Sequence, residues 1–322
     1  MFPYDLDLSW VLVVQSLGDW LIAPMKFFSF LGTEDFYILI LPILYWCIDA
    51  ALGLQVGFMM LFSSGLNFIL KVPFHGPRPY WVSANVNPLW AETSFGIPSG
   101  HAQNAVTVWG VAAGYLRRGW AWGIAIFLML AIGISRVFLG AHFVQDMLLG
   151  WLIGLVLLVL FLRYWEPVAA WAKKQSTGVQ ILYAFLFSMG LVVLGSIVVS
   201  VNSDFVMPAD WLANASRIGD EPPAPLALSG ILTSAGTLFG LLTGVAVLAP
   251  RGGWQVSGPF TKRALRYVVG LLGVLVIWYG LGAVFPRGES ILPYVLRFIR
   301  YSLLGFWVSA GAPLIFTKLK LS

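Results

Sequence analysis

The stretch SRVFLGAHFVQD, residues 135–146, places four chemically capable side chains close together: Ser135, Arg136, His142 and Asp146. They stand in a sequence in which 59% of the residues are hydrophobic and only 10% are charged. His142 and Asp146 are four residues apart, so on a helix they share a face and can form a hydrogen bond. An aspartate bound to one ring nitrogen fixes the imidazole tautomer and makes the other nitrogen the better nucleophile. The stretch therefore predicts a histidine nucleophile that a carboxylate orients.

Three cations stand near the ends of apolar segments: Lys71 and Arg78 in KVPFHGPRPYW, and Arg136 in the stretch above. Positive charges gathered at the edge of a membrane are costly unless an anion neutralises them. The planar fork of arginine suits a tetrahedral oxyanion in bidentate fashion, and lysine supplies a point charge. These residues therefore predict a binding site for phosphate.

The motif IPSGHAQ adds Ser99, Gly100 and His101 at the start of an apolar segment. Free backbone N–H groups and the helix dipole favour phosphate at a helix start, and a glycine lets the backbone approach closely. His101 is then available to protonate the leaving oxygen, as a general acid. The predicted site combines a cationic cradle, a nucleophile and an acid.

The hydrophobic composition indicates a polytopic membrane protein, because soluble domains carry about 25% charged residues. Several apolar runs approach the length that crosses a bilayer, so we predict an all-α bundle of about nine transmembrane helices. The segment 9–31 is either an interfacial helix or a further span. The predicted spans are 36–50, 53–71, 98–116, 120–138, 143–162, 179–201, 227–249, 266–285 and 291–316.

The basic residues of the loops predict the orientation of these spans. Under alternating topology they fall on one side, which the positive-inside rule makes cytoplasmic, together with the C-terminus. The predicted site then lies on the extracytoplasmic side, periplasmic or lumenal. The residues concerned are Arg117, Arg118, Arg163, Lys173, Lys174, Arg251, Lys262, Arg263, Arg266, Lys318 and Lys320.

The composition argues against metal and nucleic-acid chemistry. The chain offers neither the carboxylate cluster that magnesium prefers nor a Cys/His set for zinc, and Cys47 is its single cysteine. Its basic residues form no stripe with interleaved aromatics. We therefore expect no metal, no cofactor and no nucleic acid. The expected partners are a phospholipid or another phosphorylated substrate and the membrane lipids, with the oligomeric state open.

Taken together, the motifs K-x6-R-P, P-S-G-H and S-R-x5-H-x3-D resemble the signature of the type 2 phosphatidic acid phosphatase superfamily. The resemblance covers residues 71–146 and implies the helical core that this family shares with haloperoxidases. It implies that His142 forms a phosphohistidine, that Asp146 orients it and that His101 is the general acid. It also implies that phosphate is held by Lys71, Arg78, Ser99, Gly100 and Arg136.

Within the superfamily, stretches such as FYILILPILYW and RPYW read closest to glucose-6-phosphatase-like and sphingosine-phosphate phosphatase-like members. Asp146 follows the lipid phosphatase pattern, whereas glucose-6-phosphatases lack this aspartate. A lipid phosphate or lipid diphosphate is therefore the favoured substrate. The alternatives are a water-soluble phosphomonoester such as a sugar phosphate, a phosphotransfer reaction, and a non-catalytic transporter or scramblase of anionic lipids. An intact set of two histidines and an aspartate argues against the last.

We predict three parts of the chain: an N-terminal interfacial helix or extra span at 1–35, a catalytic phosphatase core at 36–165, and additional C-terminal transmembrane helices, to which no role is assigned, at 166–322. Two residues are accessory candidates. For His75 we favour a role in shaping its loop, and for Glu92 we favour a carboxylate that faces water over one that holds an arginine. The glycines at 236, 240 and 244 predict close helix packing.

Overall fold

The structure, a computed structural model, describes residues 4–219 and 221–321, with side chains from residue 8 onward. Every regular element in these residues is helical, which confirms the predicted all-α class. Short 3₁₀ turns (Asp19–Leu21, Val72–Phe74, Ala249–Arg251) and π turns (Leu44–Ile48, Val276–Gly280, Trp307–Gly311) join some of the helices. The helices are α1 (Tyr4–Gln15), α2 (Ile22–Phe30), α3 (Glu34–Ile43), α4 (Ala50–Lys71), α5 (Pro79–Val82), α6 (Gly100–Leu116), α7 (Gly119–Phe138), α8 (Val144–Lys173), α9 (Thr177–Val201), α10 (Ala209–Ala215), α11 (Ser229–Leu248), α12 (Phe260–Leu275), α13 (Leu281–Val284), α14 (Ile291–Phe306) and α15 (Ala312–Lys318).

Within the described residues, seven helical segments are long and apolar enough to cross a membrane. The predicted spans at 36–50 and 98–116 are not among them, although both stretches are helical. α3 has 10 residues before its π turn, and α6 has 17, at the lower end of what spans a bilayer. The seven segments are Ala50–Val82, Gly119–Phe138, Val144–Lys173, Thr177–Val201, Ser229–Arg251, Phe260–Val284 and Ile291–Lys318.

The N-terminal segment is a pair of helices rather than one straight span. Leu8–Gln15 and Asp19–Phe30 meet at an angle of 89°, and together they are apolar enough to count as one bent span or a re-entrant pair. Gly18 lies at the bend with a φ of 113°, a conformation that residues with a Cβ rarely adopt. The bend places α2 against α7.

The chain divides into two compact units. The first comprises residues 1–36, 67–160 and 197–227. In this unit α8 lies very close to the start of α6, because Gly150 and Gly154 carry no side chain at the contact. A Cβ on Gly150 would lie 2.6 Å from the Ser99 carbonyl oxygen, and one on Gly154 would lie 2.8 Å from that of Gln103. Small residues thus set the distance between the P-S-G-H turn and α8.

The second unit comprises residues 37–66, 161–196 and 228–322, and its main contact is between α11 and α14. The predicted close packing of the glycine row is confirmed there. A Cβ on Gly236 would lie 2.7 Å from the Phe298 carbonyl oxygen, and one on Gly240 would meet the backbone of Ser302 and Phe306. The two backbones therefore approach too closely for a side chain at these positions.

We expect Gly240→Ala to destabilise the protein by about 1–3 kcal/mol, the usual cost of overpacking a close contact. Gly190→Ala in α9 is the matched control, because a Cβ there would meet nothing within 4 Å. Thermal unfolding in detergent, followed by tryptophan fluorescence, measures both variants. Equal melting temperatures for the two variants would contradict the packing described for α11 and α14.

Candidate active site

The three predicted stretches meet in the first unit, where their polar side chains are buried. Lys71 ends α4, Arg78 precedes α5, and Arg136 lies in the last turn of α7. The turn after α7 carries His142, and α8 begins beside it with Asp146 in its first turn. Side-chain burial is nearly complete, with relative exposures of 0% for Arg78, 0% for Arg136 and 1% for His142. The predicted convergence of the motifs is therefore present in the fold.

Arg78 is the centre of this arrangement, because its guanidinium reaches two separate segments of backbone. Nε donates to the Ser94 carbonyl at 2.7 Å, and Nη2 donates to the Phe95 carbonyl at 3.0 Å. Nη1 donates to the Ala141 carbonyl at 2.9 Å and lies 3.2 Å from Nε2 of His142. A fixed fork of five donors makes such multiple bonding possible. The positive charge of Arg78 thus lies directly against the predicted nucleophile.

Lys71 shares the backbone acceptor of Arg78. Its Nζ donates to the Phe95 carbonyl at 2.6 Å and to the Ser94 hydroxyl at 3.2 Å. The Ser94 hydroxyl also accepts from Nη2 of Arg78 at 3.1 Å. The loop residues Ser94 and Phe95 therefore hold the two cations side by side.

His142 and Asp146 have the geometry expected of an oriented nucleophile. Nδ1 of His142 lies 3.3 Å from Oδ2 of Asp146, and the same oxygen accepts from the Phe143 N–H at 2.9 Å. A carboxylate only accepts, so Nδ1 carries the proton and Nε2 keeps its lone pair. Burial, followed by the charges of Arg78, Lys71, Arg136 and His101, holds the pKa of His142 well below its usual range. The imidazole is therefore neutral at pH 7, as an attacking nitrogen must be.

The P-S-G-H turn is fixed by bonds at the start of α6. The Ser99 hydroxyl accepts from the Ala102 N–H at 3.4 Å, and the Ser99 N–H donates to the Asp146 carbonyl at 2.9 Å. Ser99 thus caps the helix and joins it to α8. Gly100 lies against Asn67, since a Cβ on it would be 2.9 Å from Oδ1 of Asn67. His101 is half-buried, and its Nε2 is enclosed and without a hydrogen-bond partner among the residues described.

Arg136 is held by two side chains. Its Nη2 forms an ion pair with Oε1 of Glu92, and its Nη1 donates to the Ser29 hydroxyl at 2.6 Å. Oε2 of Glu92 lies 3.8 Å from Nη2 of Arg78. Burial raises the pKa of Glu92, but the two arginines outweigh it and bring that pKa to about 2. The carboxylate of Glu92 therefore bridges two cations. This differs from the sequence-based expectation, which favoured a carboxylate that faces water.

His75 lies beside the site rather than in it. Its backbone is left-handed, with a φ of 46°, and its ring stacks on Phe205 at 4.5 Å and lies 5.5 Å from the ring of Phe95. These contacts hold the loop that precedes Arg78, in agreement with the loop-shaping role favoured for His75. They also join residue 205 to the loop whose carbonyls bind the cations.

Several contributors to the site went unnoticed in the sequence. Ser94 and Phe95 act partly through backbone carbonyls, which leave no signal in residue identity. Asn67 donates to Oε1 of Gln103 at 2.9 Å and to the Pro98 carbonyl at 3.3 Å. Both Asn67 and Gln103 are amides within apolar helices, and that unusual placement was a usable signal.

A cavity of about 410 Å³ adjoins the site at Glu92. Its lining includes Glu92 and Thr93 from one stretch of the chain and Gly219 and Glu221 from another. Arg217 attaches the stretch that carries Gly219 to residues 80–86, because it donates to the carbonyls of Tyr80, Ser83 and Ala84 at 2.9–3.0 Å and of Val86 at 3.3 Å. The Ala224 N–H donates to the Thr93 carbonyl at 2.9 Å. The segment between α10 and α11 is thus attached to the loop that carries Glu92.

Comparison with known proteins adds a second line of support. Residues 52–170 match the PAP2 superfamily, and residues 232–322 match the PAP2 superfamily phosphatase transmembrane extension. The chain is 25% identical over 349 residues to glucose-6-phosphatase 2 of Homo sapiens, covering 94% of each protein. It is 32% identical over 168 residues to phosphatidylglycerophosphatase B of Bacillus subtilis strain 168, covering 48% of this chain and 80% of that protein.

A crystal structure of a transmembrane PAP2 type phosphatidylglycerolphosphate phosphatase from Bacillus subtilis is 29% identical in sequence. The structural match covers 49% of this chain and 85% of the Bacillus subtilis chain, with a TM-score of 0.42. The family matches and the curated relatives agree with the resemblance carried by the three motifs. The chain therefore belongs to the PAP2 superfamily and is a membrane phosphatase of that family.

Proposed function

We propose that the chain hydrolyses a phosphate ester through a phosphohistidine on His142, without a metal ion. The observation that carries this proposal is the surroundings of the His142 ring. Nδ1 is bound to Asp146 at 3.3 Å, while Nε2 lies 3.2 Å from the guanidinium of Arg78. The nucleophilic nitrogen therefore sits against the cation that would hold the phosphate oxygens. Simple binding of an anion does not need an oriented, neutral imidazole at that point.

The proposed reaction has two balanced steps. In the first, Nε2 of His142 attacks phosphorus, the bond from phosphorus to the ester oxygen breaks, and the imidazolium of His101 donates its Nε2 proton to that oxygen. Burial and the charge of Arg136 hold the pKa of His101 below its usual range, so the bound phosphate must supply the negative charge that keeps this ring protonated. In the second, His101 takes a proton from water, which attacks phosphorus and breaks the N–P bond. Inorganic phosphate leaves and both imidazoles return to their starting states.

Lys71, Arg78 and Arg136 neutralise the charge on the transferring phosphoryl group in this scheme. Fixed positive groups aimed at developing charge in a water-poor site give a large share of the rate enhancement of many enzymes. In the part of the chain that the structure describes, no group of three His, Cys, Asp or Glu side chains is placed to hold a metal ion. The proposal accordingly assigns the electrostatic role to the three cations.

We favour a lipid phosphate or lipid diphosphate as the substrate. The cationic residues stand at or near the ends of apolar helices, where a headgroup can reach them while its tail stays in the bilayer. The name of the Bacillus subtilis relative, phosphatidylglycerophosphatase B, refers to a phospholipid substrate. The distribution of loop charges supports a site on the extracytoplasmic side, with a cytoplasmic C-terminus.

A second candidate is a water-soluble phosphomonoester such as a sugar phosphate. Two observations favour it: a cavity of about 410 Å³ adjoins the site at Glu92, and the similarity to human glucose-6-phosphatase 2 covers 94% of the chain. The phosphoryl chemistry is the same for both candidates. Only the group attached to the phosphate differs.

His142→Ala is expected to lower turnover by at least about 1,000-fold, because the nucleophile is removed. It is also expected to abolish the acid-labile phosphoenzyme that a ³²P-labelled substrate leaves on the wild-type protein. His101→Ala is the informative comparison, since it should keep phosphoenzyme formation from p-nitrophenyl phosphate, whose leaving group needs little protonation. Phosphoenzyme of normal amount in His142→Ala would overturn the assignment of the nucleophile.

Purified protein is expected to release phosphate in the presence of EDTA, since the cations replace a metal ion in the proposed mechanism. Vanadate, which mimics the transferring phosphoryl group, is expected to inhibit it competitively. A malachite-green assay with phosphatidate, a sphingoid phosphate, undecaprenyl diphosphate, glucose 6-phosphate and glycerol phosphate compares the two substrate classes. A strict requirement for added magnesium would contradict the mechanism, and a higher kcat/KM for the two soluble esters would establish the second candidate.

A further inference from the structure

The turn between α2 and α3 lies against the site, although the sequence motifs do not include it. Ser29 is fully buried, and its hydroxyl accepts from Nη1 of Arg136 at 2.6 Å. Glu92 holds Nη2 of the same guanidinium. The buried Nε of Arg136 has no hydrogen-bond partner within the described residues. Ser29 and Glu92 therefore fix the guanidinium from one edge and leave Nε available.

Gly32 touches the predicted general acid. A Cβ at this position would lie 2.7 Å from Cδ2 and 3.3 Å from Cγ of His101, and 3.3 Å from Cγ2 of Ile132. Gly32 is not among the glycines with positive φ, so the backbone tolerates other residues there and only space demands glycine. Cδ2 is bonded to Nε2 in the imidazole ring. A side chain at residue 32 would therefore displace the atom that carries the transferable proton.

The turn is rigidly attached to its surroundings. The Gly32 N–H donates to the Ser29 carbonyl at 3.0 Å, and the Thr33 hydroxyl donates to the Phe30 carbonyl at 2.7 Å while accepting from the Phe36 N–H at 3.3 Å. Phe28 of α2 packs edge-on against Phe127 of α7 at 5.7 Å. Residues 29–32 are thus held in place by bonds on both sides and by packing on the helix that bears Arg136.

We propose that residues 29–32 are a fourth part of the active site, in which Ser29 orients Arg136 and Gly32 sets the position of His101. Both are positioning residues, and the inference rests on the proposed function because it acts through the proposed acid and phosphate ligand. The two residues affect different steps. Ser29 governs the grip on the phosphoryl group, whereas Gly32 governs proton delivery to the leaving oxygen.

Gly32→Ala is expected to lower kcat for an alkyl phosphate by about 100-fold, the scale of loss when a reacting group is misplaced by about 1 Å. Its effect on p-nitrophenyl phosphate is expected to be far smaller, since that leaving group needs little acid assistance. Inhibition by vanadate is expected to stay unchanged. Gly123→Ala in α7 is the matched control, because a Cβ there would meet nothing within 4 Å.

A double-mutant cycle separates a positioning role from general damage. In a His101→Ala background, adding Gly32→Ala is expected to cause no further loss of kcat for the alkyl phosphate, because the displaced ring is already gone. The role of Gly32 would be overturned if Gly32→Ala lowered kcat by the same factor in the His101→Ala background as in the wild type. It would also be overturned if Gly32→Ala lowered kcat equally for the alkyl and the aryl phosphate. Either result would mean that the substitution simply disturbs the fold.

Ser29→Ala is expected to raise the inhibition constant of vanadate about 10-fold, the effect of losing one hydrogen bond to a charged group. The ratio of rates for alkyl and aryl phosphates is expected to stay at its wild-type value. Ser216→Ala is the control, because the Ser216 hydroxyl donates locally, to the Ala213 carbonyl at 2.8 Å. An unchanged vanadate constant in Ser29→Ala would overturn the role of Ser29.

The wild-type protein keeps the two proposals apart. If it releases no phosphate and binds no vanadate, the proposed function fails before the variants are compared. If it is active and inhibited by vanadate, only the variants decide whether residues 29–32 belong to the site.

Discussion

Positive charge buried without a matching number of carboxylates is the constraint on which the first unit depends. Lys71, Arg78 and Arg136 lie close together at 0–5% exposure, and their mutual repulsion is severe where water is scarce. The protein relieves it with the Glu92 carboxylate, which lies between two of the cations, with the Asp146 carboxylate beside His142, and with carbonyl dipoles from several backbone segments. Three cations against two carboxylates leave an excess of positive charge, which the phosphate of the proposed substrate would meet.

This requirement explains why the loop between α5 and α6 has its particular path. The carbonyls of Ser94 and Phe95 must point at Lys71 and Arg78, and the Gly96 N–H donates back to the Gly76 carbonyl at 2.8 Å. A Cβ on Gly96 would lie 2.7 Å from the Pro77 carbonyl oxygen, so this crossing of two chain segments requires a residue without a side chain. The loop therefore stabilises the buried cations through its backbone carbonyls, in addition to connecting two helices.

Much of this arrangement could be predicted from the sequence. His142 and Asp146 share a helical spacing, and the cations and second histidine recur at segment ends that alternating topology brings to one side. The contribution of residues 29–32 could not be predicted, because a serine and a glycine in a bent apolar segment have no distinguishing chemistry. Glu92 lay in a loop where a water-facing carboxylate is the ordinary case, and only its contact with Arg136 reveals its role. The length of α6, 17 residues, could not be predicted either, because it is set by the N-cap at Ser99 and by the left-handed residue Arg117 that ends the helix.

Asp146 serves two purposes at once, and this affects how any substitution of it is interpreted. Its carboxylate accepts from both His142 and the Phe143 N–H, so it tethers the ring and the first turn of α8 together. Its main-chain oxygen accepts from the Ser99 N–H, so the same residue also anchors the turn before α6. Truncating this side chain would remove its bonds to the His142 ring and to the Phe143 N–H, and with them one restraint on the peptide group that binds Ser99, two residues before His101. A slower enzyme after such a truncation would combine lost orientation of one ring with drift of the other, and isosteric asparagine is the replacement that separates charge from shape.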